Sequence, residues 1–153
     1  MESNDSGEED LTTTVDKFTF RVKGDLRYSD QEVWVRQEGN RLRLGLTDYL
    51  QQRSGDVAFV EPAEVGKALA RGETIARIET IKTIVELPSP VAGRVGAVNE
   101  ALVERPELVN EDPYGAGWLV TLEAVPDDAA AGLLDADAYF AFLKSKLADE
   151  AGS

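Results

Sequence analysis

The chain contains neither cysteine nor histidine. Without cysteine there is no disulfide, no thiolate metal site and no sulfur nucleophile. Without histidine the commonest general base is missing, and with it every Ser-His-Asp arrangement and the usual nitrogen ligands of zinc. No run approaches the roughly 18 apolar residues that span a bilayer, and the N-terminus is acidic rather than basic-then-apolar. Basic residues are scarce: 16 Lys and Arg against 29 Asp and Glu leave a formal net charge of −13. Such a surface repels phosphate backbones and anionic lipid headgroups, so neither nucleic acid nor membrane is expected as a partner. The acid excess either suits solubility in concentrated salt or comes from an acidic tail, and composition leaves both open. The expectation is a cytoplasmic, monomeric protein whose redox or acyl chemistry must come from something attached to it.

What is present fits one domain, since 153 residues suffice to bury a core. Residues 1–16 are rich in Glu, Asp, Ser and Thr and read as a disordered acidic tail. Residues 17–149 read as the ordered domain and 150–153 as a flexible end. Strict alternation of Phe18, Phe20 and Val22 with polar residues predicts a half-buried strand over 17–23. Residues 33–36 and 41–46 read as two more, joined by Glu38-Gly39-Asn40. Thr47-Asp48 can cap a short helix that Gly55 ends. Beyond it, short β-prone runs at 57–60, 69–72, 75–78 and 91–98 are separated by Gly and Pro. That pattern predicts a mainly β fold, an antiparallel sandwich or barrel. Near the end, Tyr139, Phe140, Phe142, Leu143 and Leu147 fall at helical spacing, with Asp135 or Asp137 at the start and Lys144 and Lys146 late. This predicts a C-terminal amphipathic helix packed on the β core.

Lys82 lies between two β-prone runs, in Glu79-Thr80-Ile81-Lys82-Thr83. Local rules leave it a solvated surface charge. No Asn-Gly or Asp-Gly marks a tight turn, so propensity alone runs one strand straight through. Its surroundings, however, resemble a known family. Glu79-Thr80-Ile81-Lys82 followed by Pro90-Val91-Ala92-Gly93 is similar to the attachment-site signature of the glycine cleavage system H protein family. Gly45-Leu46-Thr47-Asp48-Tyr49-Leu50-Gln51 resembles that family's Gly-Ile-Thr-Asp-Tyr-Ala-Gln, and residues 55–66 follow its Gly-Asp-Ile-Val-Phe-Val-Glu run. Residues 98–102, 106–110 and 113–118 keep the family order. The series runs from about Tyr28 to the C-terminal helix without a gap.

The resemblance implies a flattened pair of antiparallel sheets, hammerhead-like, with a short helix, a C-terminal helix and the modified lysine on an exposed hairpin tip. It implies lipoic acid in amide linkage to Lys82, attached by a lipoate ligase or lipoyl transferase. Glu79, Gly66 and Gly93 would serve recognition and sharp turns; their bland reading is strand-edge charge and bulge glycines. The lysine's flexible stem suits such an arm, and the dithiolane would supply the sulfur chemistry this chain lacks. The chain itself is then a non-catalytic carrier. Biotin carriers share the fold, but they flank the lysine with Met, where this chain has Ile81 and Thr83.

One stretch departs from the family. Tyr28-Ser29-Asp30-Gln31-Glu32-Val33-Trp34 puts Glu32 where the family has His and Val33 where it has Glu. In the family that acid lies by the cleft that receives the loaded arm, where a carboxylate can hold a cationic amine. Val cannot do this, and a one-residue shift along a strand turns Glu32 to the other face. Lesser departures are Pro62-Ala63 and Pro88. Three functions stay open. The first, which Val33 favours, is an H-like lipoate-binding protein of sulfur oxidation, working with a heterodisulfide-reductase-like complex. The second is a glycine cleavage carrier serving the glycine decarboxylase, aminomethyltransferase and dihydrolipoamide dehydrogenase. The third is an unmodified structural module. The acids Asp127, Asp128, Asp135 and Asp137 lack calcium-loop spacing, and Gly115-Ala116-Gly117 lacks the third glycine of a dinucleotide fingerprint.

Overall fold

The molecule is described by a computed structural model over residues 9–152. Its elements in chain order are β1 (Leu11–Val15), β2 (Phe18–Val22), β3 (Arg27–Tyr28), β4 (Val33–Glu38) and β5 (Arg41–Leu46). Helix α1 (Asp48–Ser54) leads to β6 (Val57–Pro62), β7 (Ala68–Leu69), β8 (Thr74–Thr80), β9 (Ile84–Pro88) and β10 (Gly93–Val98). Two one-turn helices, α2 (Ala101–Glu104) and α3 (Leu108–Glu111), precede β11 (Val120–Glu123) and the C-terminal helix α4 (Ala136–Ala151).

The body is two antiparallel sheets, one of six strands ordered β3-β4-β5-β11-β10-β7 and one of three ordered β6-β8-β9. Period-2 alternation makes each sheet apolar on its inner face. Leu42, Leu44, Val95 and Leu122 of the larger sheet join Val60, Ile78 and Leu87 of the smaller in one core. The double-sheet fold read from the sequence is therefore the fold observed.

A second, aromatic core lies beside the first: Phe20, Tyr28, Trp34, Tyr49, Tyr114 and Tyr139, with Leu143 and Leu147 of α4. Trp34 is fully buried and its indole N–H donates to the carbonyl of Pro113 at 2.8 Å. It also lies flat against Gly45, its partner across the β4–β5 ladder. A Cβ at position 45 would stand 2.5 Å from the indole, so no other residue fits there without displacing the ring. Tyr28 stacks on Tyr139 with centroids 4.4 Å apart, which fastens α4 to the sheet. The aromatic residues of α4 thus pack as core, as their spacing predicts. Asp135 caps that helix by accepting from the Ala138 N–H at 2.8 Å.

Both ends of the chain differ from expectation. Leu11–Val15 is not part of a disordered tail: it is a strand paired with β2 from Leu11↔Val22 to Val15↔Phe18. Its threonines had counted as polar, but they are β-branched and suit a pleated, half-buried surface. Leu11, Thr13 and Val15 form its half-buried face. Asp16, at φ 57°, turns the hairpin, a conformation that short polar side chain tolerates. Asp10 is held as well, accepting from the Gly24 N–H at 2.9 Å. Residues 1–8 of the expected tail lie outside the described residues. At the other end α4 continues through Ala151, so Glu150 is not in a flexible end. It accepts from Arg53 at 2.7 Å and from the Tyr49 hydroxyl. The Arg53 hydrogen bond, then the Tyr49 one, holds its carboxyl below the usual carboxylate range. Burial, reinforced by the hydrogen bond to Glu150, pushes Tyr49 up to about 12. Ser153 lies outside the described residues.

The β1–β2 hairpin is anchored chiefly by Phe20, which is fully buried against Tyr49 with centroids 5.6 Å apart. Phe20→Ala is expected to cost about 3–5 kcal/mol, read as a lower urea midpoint with an unchanged m-value. Phe18, 46% exposed, should cost far less when truncated in the same way.

Candidate functional site

Strands β8 and β9 pair as far as Glu79↔Ile84, and the chain then reverses between Thr80 and Thr83, with Ile81 and Lys82 as the whole loop. A two-residue hairpin loop ordinarily needs positive φ, which Ile would adopt only under strain. Neither Ile81 nor Lys82 is among the residues at positive φ. Thr80 closes the turn instead. Its N–H donates to the Thr83 carbonyl at 2.8 Å, and its hydroxyl bonds both the Thr83 carbonyl (3.1 Å) and the Thr83 N–H (3.0 Å). A strand running straight through, as propensity reads it, is thus replaced by a hairpin because one threonine side chain satisfies the turn.

Lys82 is exposed at that tip and, among the described residues, enters no ion pair. Its stem lies across Gly55, the residue that ends α1 at φ 91°: a Cβ there would meet Lys82 Cε at 3.3 Å. Asn110 fixes this seat. Its carboxamide accepts from the Val57 N–H at 2.9 Å and donates to the Gly55 carbonyl and the Gln51 side chain, each at 3.0 Å. Thr80, Gly55 and Asn110 were not singled out from the sequence as site residues. The signal for Thr80 was a threonine on either side of Ile81-Lys82, and Gly55 was read only as a helix end.

The other expected site residues are dispersed. Glu79 is on β8, its side chain 38% exposed and 3.9 Å from the Arg77 guanidinium. Gly66 belongs to a turn at φ 90°, its N–H donating to the Val95 carbonyl at 2.7 Å. Gly93 opens β10 in the larger sheet, where a Cβ would meet Val125 Cγ1 at 2.8 Å. Gly66 is explained by its positive φ and Gly93 by the close approach of Val125, Glu123 and Leu122.

Glu32 occupies an environment that strand register alone does not give. Glu32 precedes β4 at φ 72°, outside the pleat, and its side chain is only 5% exposed. Its carboxylate accepts from the Thr47 hydroxyl at 2.7 Å, from Lys146 at 2.5 Å and from the Tyr139 hydroxyl. Thr47 caps α1 and the other two belong to α4, so this one carboxylate joins both helices to the start of β4. Burial, and then the nearby Glu32 charge, raises Tyr139 above the ordinary phenol range. Val33 is fully buried in the main core.

A lipoyl amide fits these residues. Acylation removes the charge of Lys82, and that charge supports no ion pair among the described residues. Those residues contain no cluster of His, Cys, Asp or Glu able to hold a metal ion, and none of their helices is long and apolar enough to cross a membrane.

The arrangement defines a class: a double-sheet body that presents an exposed lysine, without an ion pair among the described residues, on a hairpin tip. Comparison with known proteins makes it particular. The family model for the glycine cleavage H-protein matches residues 26–146. A glycine cleavage system H protein of Bacteroides thetaiotaomicron is 48% identical over 114 residues, 74% of this chain and 90% of that protein. One from Anoxybacillus flavithermus is 44% identical over 118 residues, 77% of this chain and 93% of its own. The crystal structure of a glycine cleavage system H protein from Mycobacterium marinum superposes with a TM-score of 0.69 at 34% identity, covering 77% of this chain and 95% of that one. The chain belongs to the glycine cleavage H-protein family. The β1–β2 hairpin precedes the matched residues.

Two outcomes follow from this geometry. Thr80→Val should speed hydrogen exchange at the Thr83 amide severalfold while lowering global stability by only about 1 kcal/mol. Glu32→Ala strands the Lys146 ammonium and two hydroxyls, and should cost about 2–4 kcal/mol in denaturant unfolding, with α4 exchanging fastest.

Proposed function

We propose that this chain is a lipoyl carrier of the glycine cleavage reaction, with Lys82 as its attachment site. The observation that carries the reading is an exposed lysine, with no ion pair among the described residues, on a structurally closed hairpin tip, in a chain 48% identical over 114 residues to a glycine cleavage system H protein. In the attachment step the neutral Nζ amine attacks the activated carboxyl carbon of lipoate. The C–N bond forms, the activating group leaves, and the nitrogen gives up its proton to solvent.

Each part of the site then has a task. Thr80 keeps the loop closed, so that the arm starts from a defined point. Gly55 lets the stem lie close to the end of α1, and Asn110 holds that end against β6. The bound lipoyl group would supply the disulfide–dithiol chemistry that carries a fragment of glycine between enzymes. Partners of this reading are a lipoate ligase or lipoyl transferase, the glycine decarboxylase, the aminomethyltransferase and dihydrolipoamide dehydrogenase.

The related proteins favour glycine cleavage over the sulfur-oxidation reading, because the family model, the curated relatives and the solved structure all bear that name. Val33 had favoured the sulfur reading, as the loss of an acid beside the arm. Its full burial in the core gives it a packing role of its own, which weakens that inference.

The test is intact-mass spectrometry after incubation with lipoate ligase, ATP and lipoate. The wild-type chain should gain one lipoyl group, and Lys82→Arg none. The lipoylated chain should then support glycine cleavage when mixed with the three other enzymes. Lipoylation without glycine turnover would reject this pathway in favour of a sulfur carrier, and no lipoylation would reject the carrier.

A further inference from the structure

The smaller sheet has an outer face that the body does not use. Phe59 of β6, Glu79 of β8 and Ile84 of β9 lie in one row, each directly opposite the next across an antiparallel ladder, so all three project from the same side. Neighbouring strands stand about 4.8 Å apart, which sets Phe59 and Ile84 about 10 Å from each other across Glu79. Phe59 is 50% exposed, Ile84 53% and Ile81 at the tip 86%. Only six large apolar side chains are exposed among the described residues, and these are three of them. Glu61, Arg77 and Glu86 form the next row, with both acids exposed on either side of the Arg77 guanidinium, which lies 3.9 Å from Glu79.

Isolated exposed apolar residues are ordinary, but a group of three beside a reactive lysine in a chain of net charge −13 is not scattered. We propose that this outer face, with Phe59 and Ile84 as its apolar anchors, is the docking surface for the enzyme that acylates Lys82. The proposal rests on the lipoyl-carrier reading and adds where the modifying enzyme grips. Reach selects the occupant. Before acylation the reacting nitrogen is one lysine stem from the backbone, so an enzyme that attacks it must cover the hairpin and the strands beside it. Enzymes that act on the far end of a finished arm need not. Charge states the partner's chemistry: Arg77 offsets Glu79 at the centre, and the acids that flank it, Glu61 and Glu86, call for an apolar depression rimmed by Lys or Arg.

The experiment measures initial rates of Lys82 lipoylation by a lipoate ligase with ATP and lipoate, read by intact mass at varied concentrations of the unmodified chain. The double variant Phe59→Ser/Ile84→Thr should raise KM for the chain about tenfold with kcat within about twofold. Glu61→Lys/Glu86→Lys should raise it likewise, and added salt should raise the wild-type KM. Val103→Ser, at an exposed apolar residue on α2, should leave KM unchanged. Thermal melts and circular dichroism confirm that each variant is folded. An unchanged KM in both double variants overturns the proposal. So does a loss confined to glycine cleavage turnover, or to self-association in sedimentation, because the face would then belong to a later enzyme or a second copy. Absence of any mass gain in the wild-type chain overturns the carrier reading and this proposal with it.

Discussion

The indole of Trp34 lies against the bare backbone of Gly45, and most of what positions Lys82 can be traced outward from that contact. The pair sits at the end of the β4–β5 ladder, two residues before Thr47 begins α1. The indole N–H reaches Pro113, which draws the segment from Asn110 to Tyr114 against α1. That segment then brackets the helix. The Tyr114 hydroxyl accepts from the Asp48 N–H at 3.2 Å at its start, and Asn110 binds Gln51 and Gly55 at its end. The same Tyr114 hydroxyl donates to the Arg21 carbonyl at 2.7 Å, so the N-terminal hairpin is fixed through the same residue. A seven-residue helix is too short to be stable alone, and this one is held at both ends by tertiary contacts. Its C-terminal glycine can therefore serve as a fixed seat for the lysine stem.

The tip itself follows a different logic. A hairpin built on Asn-Gly would twist favourably but would leave no place in its two-residue loop for a lysine beside a β-branched neighbour. Closing the turn through the Thr80 hydroxyl keeps Ile81 and Lys82 at ordinary φ. The loop can then carry chemistry rather than turn-forming residues. The side-chain hydrogen bonds compensate for the poorer twist match. Order in the loop thus depends on Thr80, two residues before the lysine.

How much of this could be read beforehand depends on what each signal measures. The C-terminal helix and most strands were readable because burial imposes a period, and Tyr139, Leu143 and Leu147 carry it plainly. The strand Leu11–Val15 was not, because counting hydroxyls as polar hides the β preference of three consecutive threonines. Lys82 was invisible to turn rules, which know backbone conformations and not side-chain closure; only the spaced resemblance on either side marked it. Gly55 was read correctly as a helix end, yet its contact with Lys82 joins residues 27 positions apart, which no local pattern records. Glu32 was misplaced by treating it as a strand residue, whereas its left-handed φ takes it out of the pleat.

Glu32 also shows why family position and chemical role separate. Where the family carries His and then Glu, this chain has Glu and then Val, as if the acid had moved by one residue. A moved acid could keep its task only if its side chain reached the same space. Here it turns inward to Thr47, Tyr139 and Lys146, and three donors on two helices hold it there. A carboxylate so engaged could bind an amine only by giving up those partners, at a cost comparable to losing a buried ion pair. Its work is to tie the last helix to the first across the start of β4. Val33 meanwhile fills the core. The exchange therefore converts two polar family positions into one structural tether and one packing residue, while the Lys82 tip and its seat remain intact. On the proposed reading, carriage and cargo recognition are then separable: carriage would rest on Thr80, Gly55 and Asn110 around the lysine, and recognition of the cargo would not rest on the acid that precedes β4.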